Sequence, residues 1–455
     1  MTESYLPGVI LFAPFVGAAV LATPWVSNRH PLLVRQLAVF ISGISFFGSF
    51  ILLFAFDWQK GGYQFQQKYV WSEQLGIQFY IGVDGIGVPM VLASSILLFA
   101  GVFISWHIKD RTKEFYAFLL ILAGAIVALL GILLIYKASG LNTFEIPVLV
   151  EKAHFDGTLA TIIWLLCFFG FASIAPLWPL HSWSPVGHAA APAATSMLHA
   201  GVLMKLGHFS IIRTCFQILP DTTHDLMPIA AILCILNILY GGYVAYYSND
   251  TKYVIGYSSS SHMGYVFLGM AALDYISLTG AVLYMFAHAL ATGMLFAMAG
   301  WVYDQTHTRD IPSLGGLVAK MPFVAGCFLV ACMASIGMPG TVNFVAEVMI
   351  VLGSWAKYPV QTVIAVLGIV LTMSYLFRMM RGVFYGQLSE LGHHAHDAEA
   401  LVDRAPLLIM IFSSVMFGLL PGRMLDVIRS GVNPILARIV EVAPVVSQTG
   451  SGLLP

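Results

Sequence analysis

Charged side chains are scarce in this sequence, and their scarcity excludes a soluble fold. Only 9% of the 455 residues are Asp, Glu, Lys or Arg, against about 25% in a soluble domain, and 59% are hydrophobic. A soluble core cannot absorb that much apolar surface. The net charge of −1 also argues against a nucleic-acid partner.

Cofactor motifs are missing as well. The sequence contains no GxGxxG, Walker or haem-attachment motif, so we expect the chain itself to bind no NADH, flavin, iron–sulfur cluster or ATP. The five cysteines lie in apolar runs without a CxxC pair, which favours small core residues over disulfides or zinc ligands. The histidine-rich segment 393–397 has metal-binding residue types without a fixed ligand geometry, so we expect no metal there.

Long apolar runs are what the sequence does contain. Their length is typical of membrane-spanning helices, and they show no alternating pattern of barrel strands, so we predict an all-α polytopic membrane protein. We count twelve transmembrane spans, near residues 7–25, 33–56, 85–107, 114–136, 159–179, 190–218, 227–247, 253–272, 277–302, 322–355, 358–383 and 405–425.

Two spans are predicted to be broken helices. The tenth contains the segment Gly-Met-Pro-Gly at 337–340, and the fifth runs into Pro176 and Pro179. Broken helices at corresponding places are typical of inverted-repeat transporters. We therefore predict a first, shortened repeat over 85–250 and a second over 251–383.

The flanking segments complete this organisation. Residues 1–84 hold two helices and a loop, and 384–455 hold a loop, the last helix and a tail. The first apolar run has no basic n-region or cleavage site, so it is expected to be a retained helix. The distribution of Lys and Arg mildly favours both termini on the outer side of the membrane.

One lysine, Lys205, lies in the middle of the apolar stretch from His188 to Leu219. A charge at mid-membrane depth costs roughly 3 kcal/mol on insertion scales, so it usually serves ion or proton transfer. The alternative is a structural lysine that snorkels to an interface. Its distance from both ends of the span argues against that alternative.

Four further titratable residues are candidates for the same relay. Glu347 follows the second helix break, where it could also cap the restarting helix. His262 and His288 are isolated in apolar helices and could equally be hydrogen-bonded core residues. His208 lies three residues after Lys205, on the same helix face, where it could pass a proton or merely pack.

Four segments in order carry a family resemblance: PLHSWSPVGHAAAPAATSMLHAGVLMKLG (179–207), NDTKYVIGYSSSSHMGYV (249–266), MFAHALATGMLFAMAGWVYDQTHTRDIPSLGGL (285–317) and GMPGTVNFVAEVMI (337–350). Together they closely resemble the subunit M family of complex I, the NADH:quinone oxidoreductase, whose mitochondrial counterpart is chain 4. The wider group includes subunits of Na+/H+ antiporters and of energy-converting hydrogenases.

The resemblance implies a role and a set of partners. In the family, a row of buried charged residues lies in the membrane plane, and the resemblance implies that Lys205 and Glu347 belong to it. His262 and His288 match family histidines that bridge the two halves. NADH, FMN, iron–sulfur clusters and quinone would belong to other subunits. The expected partners are the L-, N- and K-type membrane subunits and the lipid bilayer.

The chain departs from the family pattern at two places. A family lysine before the PLH segment falls at Ile174, and the helix whose Trp-Glu pair meets that lysine is missing. The segment 114–136 looks like the start of one family helix joined to the end of another, so two helices are predicted to be lost. Losing both partners of a buried ion pair avoids an uncompensated charge.

Two alternatives share this fold. The chain could be a structural paralogue that fills the subunit M position without pumping. It could also belong to a related antiporter, hydrogenase or inorganic-carbon-uptake complex. Sequence alone does not separate the three.

Overall fold

The computed structural model describes residues 5–7, 9–10, 13, 31–72, 77–104, 132–141 and 143–449. Most of the first predicted span, 7–25, and most of the fourth, 114–136, lie outside the described residues. The predicted loss of two helices around 114–136 and the nature of the first apolar run therefore stay predictions.

The described part of the chain is mostly helical, and its helices and strands follow one another in this order. The first half contains α1 (Pro31–Ala55), β1 (Gln64–Ser72), β2 (Ile77–Val83), α2 (Gly87–Ile104), α3 (Ile146–Lys152), α4 (Gly157–Ile174), α5 (Trp183–Ala190), α6 (Ala193–Leu198) and α7 (Met204–Ile211). The second half contains α8 (Pro220–Tyr247), α9 (Thr251–Ala271), α10 (Tyr275–Thr306), α11 (Pro322–Ile336), α12 (Val342–Trp355), α13 (Pro359–Phe384), α14 (Leu401–Leu419) and α15 (Gly422–Thr449).

The prediction of an all-α polytopic membrane protein is confirmed. Among the described residues, five helices are long and apolar enough to cross a membrane: α4, α8, α10, α13 and α14. Four shorter apolar helical stretches, in α1, α2, α11 and α12, add to them. The inverted-repeat relation and the repeat boundaries remain predictions.

Local chemistry explains where the helices begin. The carboxylates of Asp250 and Asp274 accept hydrogen bonds from the first backbone N–H groups of α9 and α10. Proline stands at the first position of α8, α11 and α13, where its missing N–H costs nothing.

Helices α9 and α10 form the centre of the bundle, and nearly all of their side chains are buried. The serine run at 258–261 in α9 is part of this packing. Ser261 donates to the Ile238 carbonyl at 2.9 Å, and Tyr375 donates to the Ser258 hydroxyl at 2.8 Å. These serines therefore join α9 to α8 and α13.

Both predicted helix breaks are present. The first separates α4 from α5, and a second interruption at Ala191 and Pro192 separates α5 from α6. The later break separates α11 from α12, where Gly337 closes α11 in the left-handed conformation with φ 81°. A residue with a Cβ is strained in this conformation, which explains the glycine.

The segment α6–α7 contains π-helical turns that the sequence did not indicate. The turn His199–Leu203 lies directly before α7, and Ile212–Phe216 follows it. π-Turns inside α-helices are frequent at functional sites. Here the first of them immediately precedes Lys205.

A β-hairpin follows α1, and the C-terminal helix α15 contacts Gly61 and Gly85 on either side of that hairpin. The strands β1 and β2 pair antiparallel, and α15 follows the last apolar helix. Arg423 in α15 donates to the Phe56 carbonyl at the end of α1. Arg438 donates to the Val150 carbonyl of α3 at 2.6 Å.

Sequence analysis treated the α15 segment only as the tail after the last span, and so missed this helix. Its apolar side chains recur every three or four residues and are buried, as Met424, Val427, Ile428, Ile435 and Ile439 show. Such spacing predicts an amphipathic helix. The signal was therefore present in the sequence.

Gly85 is packed closely against the backbone of α15. A Cβ at this position would overlap the Val427 carbonyl oxygen and approach the Gly431 nitrogen at 2.6 Å. We expect Gly85→Ala to destabilise the fold by about 1–3 kcal/mol because α15 must shift. Thermal unfolding in detergent measures this change.

Gly326→Ala is the matched control, since nothing lies within 4 Å of a Cβ there. Its unfolding temperature should stay the same or rise slightly because alanine favours helix. Equal losses for the two variants would contradict the close packing of α15 on Gly85.

Candidate functional site

Lys205 is buried in α7, with 3% of its surface exposed. Its ammonium group donates to the Ala200 carbonyl in the preceding π-turn and lies 2.6 Å from His288 Nδ1 in α10. The side chain is therefore directed into the bundle. The snorkelling alternative is not supported.

His288 is held from its own helix as well. Thr292, one turn later, donates to the His288 carbonyl and has its hydroxyl 3.3 Å from Nδ1. The other ring nitrogen, Nε2, has no hydrogen-bond partner among the described residues. One edge of the imidazole thus meets Lys205, while the buried nitrogen on the other edge has no protein partner among the described residues.

His262, Tyr284 and Glu347 form a second connected group from α9, α10 and α12. His262 Nδ1 lies 2.5 Å from the Tyr284 hydroxyl, which donates to Glu347 Oε1 at 2.7 Å. All three side chains are buried. Buried polar groups are rarely left unpaired, and this chain of contacts pairs each of them.

A short gap separates the two groups. The ring centroids of His262 and His288 are 5.4 Å apart, and the Nε2 atoms of both rings lack partners within the described part of the chain. Buried polar atoms without a protein partner are commonly satisfied by an ordered water. With that bridge, polar contacts would run from Lys205 to Glu347.

Glu347 packs against the second helix break. A Cβ on Gly337 would overlap its carboxylate, so the glycine is required by space as well as by its φ angle. The hydrogen bond on the carboxylate comes from Tyr284 on another helix, and the helix cap is Thr341. This arrangement does not support the capping alternative, and the relay role of Glu347 stays a prediction.

No hydrogen bond joins His208 to Lys205 among the described residues. Its Nδ1 lies 3.1 Å from the Met204 carbonyl one turn earlier, and its ring packs on Phe267 with centroids 4.4 Å apart. The geometry favours the packing alternative for this residue.

Two histidines at the first break were not among the predicted site residues. The rings of His188 and His199 lie 4.4 Å apart between centroids, and His188 also stacks on Phe296. Neither Nε2 atom has a partner among the residues described. The sequence could have indicated both histidines, because they precede Lys205 and lie close to a predicted helix break.

A cavity of about 470 Å³ borders Lys205 on its other side. Gly201 and Ser94 share its wall with mostly apolar side chains, and it extends to Gly82 and Val83 at the end of β2.

Ile174 lies at the end of α4. Among the described residues, none of the ion pairs involves Lys205.

Other residues from sequence analysis have structural roles. The Asp397 carboxylate accepts from the backbone N–H groups of Phe323 and Val324 at 2.7 and 3.1 Å, so it caps α11. The described residues contain no cluster of His, Cys, Asp or Glu that could hold a metal. All five cysteines are buried and free.

Comparisons with known proteins decide the family. The family described as "NADH:quinone oxidoreductase/Mrp antiporter, TM" matches residues 73–372. The chain belongs to this family. It is a multi-pass membrane protein of the complex I and Mrp antiporter group.

Curated relatives in this family carry subunit M or chain 4 names. The chain is 30% identical to NAD(P)H-quinone oxidoreductase chain 4 1 of Synechococcus elongatus, over 99% of this chain and 95% of the relative. It is 28% identical to NADH-quinone oxidoreductase subunit M of Rickettsia conorii, over 90% of this chain and 93% of the relative.

The first of these alignments also bears on chain length. It runs over 509 positions, more than the 455 residues of this chain, so the relative carries residues without a counterpart here. This agrees with a shortened chain. The place of the shortening remains a prediction.

Solved structures share the fold of this family member. Respiratory complex I from Thermus thermophilus matches with a TM-score of 0.84 and 22% identity, over 96% of this chain and 99% of that chain. The Mrp complex from a Dietzia species matches with a TM-score of 0.84 and 16% identity, over 97% and 99%. At these identities the likeness concerns the fold.

Gly337 and Gly340 offer a test of the contact between Glu347 and the helix break. Both have positive φ angles, of 81° and 97°, so alanine is strained at each by about 1–3 kcal/mol. Only a Cβ on Gly337 would press on Glu347, since the nearest atom to a Cβ on Gly340 is 3.9 Å away, in Leu419.

We therefore expect both alanine variants to lower the unfolding temperature, and Gly337→Ala alone to shift the infrared carboxyl signal of Glu347. The Glu347→Gln variant identifies that signal. A shift of equal size in Gly340→Ala would contradict the packing of Glu347 on Gly337.

Proposed function

We propose that this chain is the subunit M-type membrane subunit of an NADH:quinone oxidoreductase and that it couples electron transfer in other subunits to proton translocation. The observation that carries the proposal is the line of buried contacts from Lys205 through His288, His262 and Tyr284 to Glu347. Names of the curated relatives support the assignment to subunit M.

The first proton transfer in this line is between Lys205 and His288. An ammonium group at Nζ donates to His288 Nδ1, 2.6 Å away, and passes its proton along that hydrogen bond. The ring then releases a different proton from Nε2 to a water in the gap. One proton enters the imidazole and one leaves it, so the ring ends neutral.

The second half of the line repeats this exchange. The water protonates His262 at Nε2, and the ring passes its Nδ1 proton to the Tyr284 oxygen at 2.5 Å. Tyr284 donates its own proton to Glu347 Oε1 at 2.7 Å. The net result is one proton moved from Lys205 to Glu347.

A change in the charge of Lys205 or Glu347 alters the free energy of ionising the other. Unit charges interact more strongly in a protein interior than in water, so a neighbouring subunit that moves one charge can bias loading or release. We infer that conformational and electrostatic coupling through the membrane subunits links this line to the redox reactions.

The same proposal covers partners, cofactors and location. NADH, FMN, iron–sulfur clusters and quinone are placed in partner subunits, and L-, N- and K-type membrane subunits are the expected neighbours. The proposed location is a bacterial inner membrane with both termini periplasmic. Structural neighbours that are multi-subunit membrane complexes support an assembly of this kind.

Lys205→Ala and Glu347→Gln test the two ends of the line. In the assembled complex in proteoliposomes, each should lower proton pumping by about 100-fold, the scale for loss of a positioned acid–base group. The matched controls are Lys320→Ala and Glu390→Gln, which change exposed residues. They should leave pumping unchanged.

Unchanged pumping in Lys205→Ala and Glu347→Gln, with assembly intact, would assign the chain the structural role. Proton flux that requires a sodium gradient, without dependence on NADH oxidation, would assign it to the antiporter group. Either result would replace the proposed function.

Tyr284→Phe tests the middle of the line. The substitution keeps the ring and removes the hydroxyl between His262 and Glu347, so pumping should fall by about tenfold or more. Tyr265→Phe is the control in the same neighbourhood, because its hydroxyl donates to the Ala365 carbonyl at 2.7 Å. Equal pumping by the two variants would remove Tyr284 from the mechanism.

A further inference from the structure

A second cavity lies at the opposite end of the bundle from the β-hairpin, where α8 and α13 end. It is an open groove of about 730 Å³ between these ends and the segment 311–314. We call it the arginine groove, after Arg378 and Arg381 in its wall; Tyr246, Phe377 and Tyr385 line it as well. No residue of the proposed proton line touches it.

The two arginines differ in how they are held. Arg378 donates to the carbonyls of Tyr246 and Ser248 at 2.6 and 2.9 Å and to Asn249 Oδ1 at 2.6 Å, so it ties α13 to the end of α8. Arg381, one turn later, is exposed and has no side-chain hydrogen bond or ion pair within the described ranges.

The positive charge of the groove is not balanced by its own lining, which contains no carboxylate. The nearby carboxylates are engaged elsewhere. Asp250 pairs with Arg309 at 3.1 Å and caps α9, and Asp310 accepts from the Ser313 hydroxyl at 2.5 Å. An anionic ligand would supply the missing charge, and arginine matches phosphate oxygens in geometry.

An apolar stripe on α13 leads into the groove. Leu367 and Val370 are 60% and 54% exposed, and the spacing of three and four residues places them on the same helix face as Phe377 and Arg381. From Leu367 to Arg381 the helix rises about 21 Å, close to the length of an extended acyl chain.

Tyrosines mark the depth of the groove in the membrane. Tyr385 lines the groove and is 48% exposed, and Tyr243 and Tyr247, in the last turns of α8, are 60% and 64% exposed. Tyrosine is enriched at the level of lipid headgroups, where its ring is in the apolar layer and its hydroxyl in water. A basic pocket at this depth, with an apolar stripe beneath it, has the shape of a phospholipid site.

We propose that the arginine groove binds the phosphate headgroup of an anionic phospholipid, with Arg381 as the ion-pairing residue and the acyl chains along α13. Arg378 contributes charge while it holds the two helix ends together. The site is independent of the proposed proton line, so either proposal can fail without the other.

The test measures lipid retention by the full-length chain in detergent, by native mass spectrometry, with added phosphatidylglycerol or phosphatidylcholine. The native chain should retain one phosphatidylglycerol in preference to phosphatidylcholine. Arg381→Gln should bind it about fivefold more weakly, since one basic residue near a membrane surface contributes about 1 kcal/mol. Arg381→Lys should restore most of the binding.

Lys320→Gln is the matched control, because it removes one exposed positive charge that does not line the groove. It should bind phosphatidylglycerol like the native chain. Equal loss in both variants, or equal retention of the two lipids, would overturn the proposal. Displacement of the lipid by millimolar inorganic phosphate would assign the site to free phosphate instead.

Discussion

A backbone carbonyl inside a bilayer needs a donor from the protein itself, because lipid offers none. This chain breaks its helices within its apolar segments, and side chains from other segments donate to the carbonyls that the breaks release. Lys252 donates to the Ala191 carbonyl at 2.6 Å, Arg309 to that of Ala189, and Asn237 to that of Pro176 at 3.2 Å. The breaks are therefore stabilised structures, and they determine where polar side chains can be buried.

The proposed proton line follows from that requirement. The π-turn before α7 presents the Ala200 carbonyl to Lys205, and the Gly337 break leaves room for the Glu347 carboxylate. Both ionisable groups thus lie beside interrupted backbone, where polar atoms are already concentrated. Between them, the uninterrupted helices α9 and α10 supply side chains of fixed spacing. Interrupted helices provide the ends of the line and regular helices provide its middle.

Sequence reasoning found the parts of this arrangement that have a local signature. Lys205 and Glu347 stand out as charged residues in apolar stretches, and proline and glycine mark the breaks. Tyr284 could not be found this way, because it resembles any core aromatic and its partner Glu347 is 63 residues away. The π-turns have no known sequence signal, and the orientation of His208 depends on Phe267 from another helix. Contacts that join distant segments required the structure.

The Tyr284 hydroxyl has one hydrogen and two neighbours. While the hydroxyl donates to Glu347, its oxygen can accept only from a His262 ring that is protonated at Nδ1. If that ring is neutral, its Nε2 is then unprotonated. If the hydroxyl turns toward His262, Nδ1 of that ring must be unprotonated. Glu347 must then be protonated to keep its hydrogen bond with Tyr284. The tautomer of His262 and the protonation state of Glu347 are thus correlated through the rotation of one O–H bond, that of Tyr284.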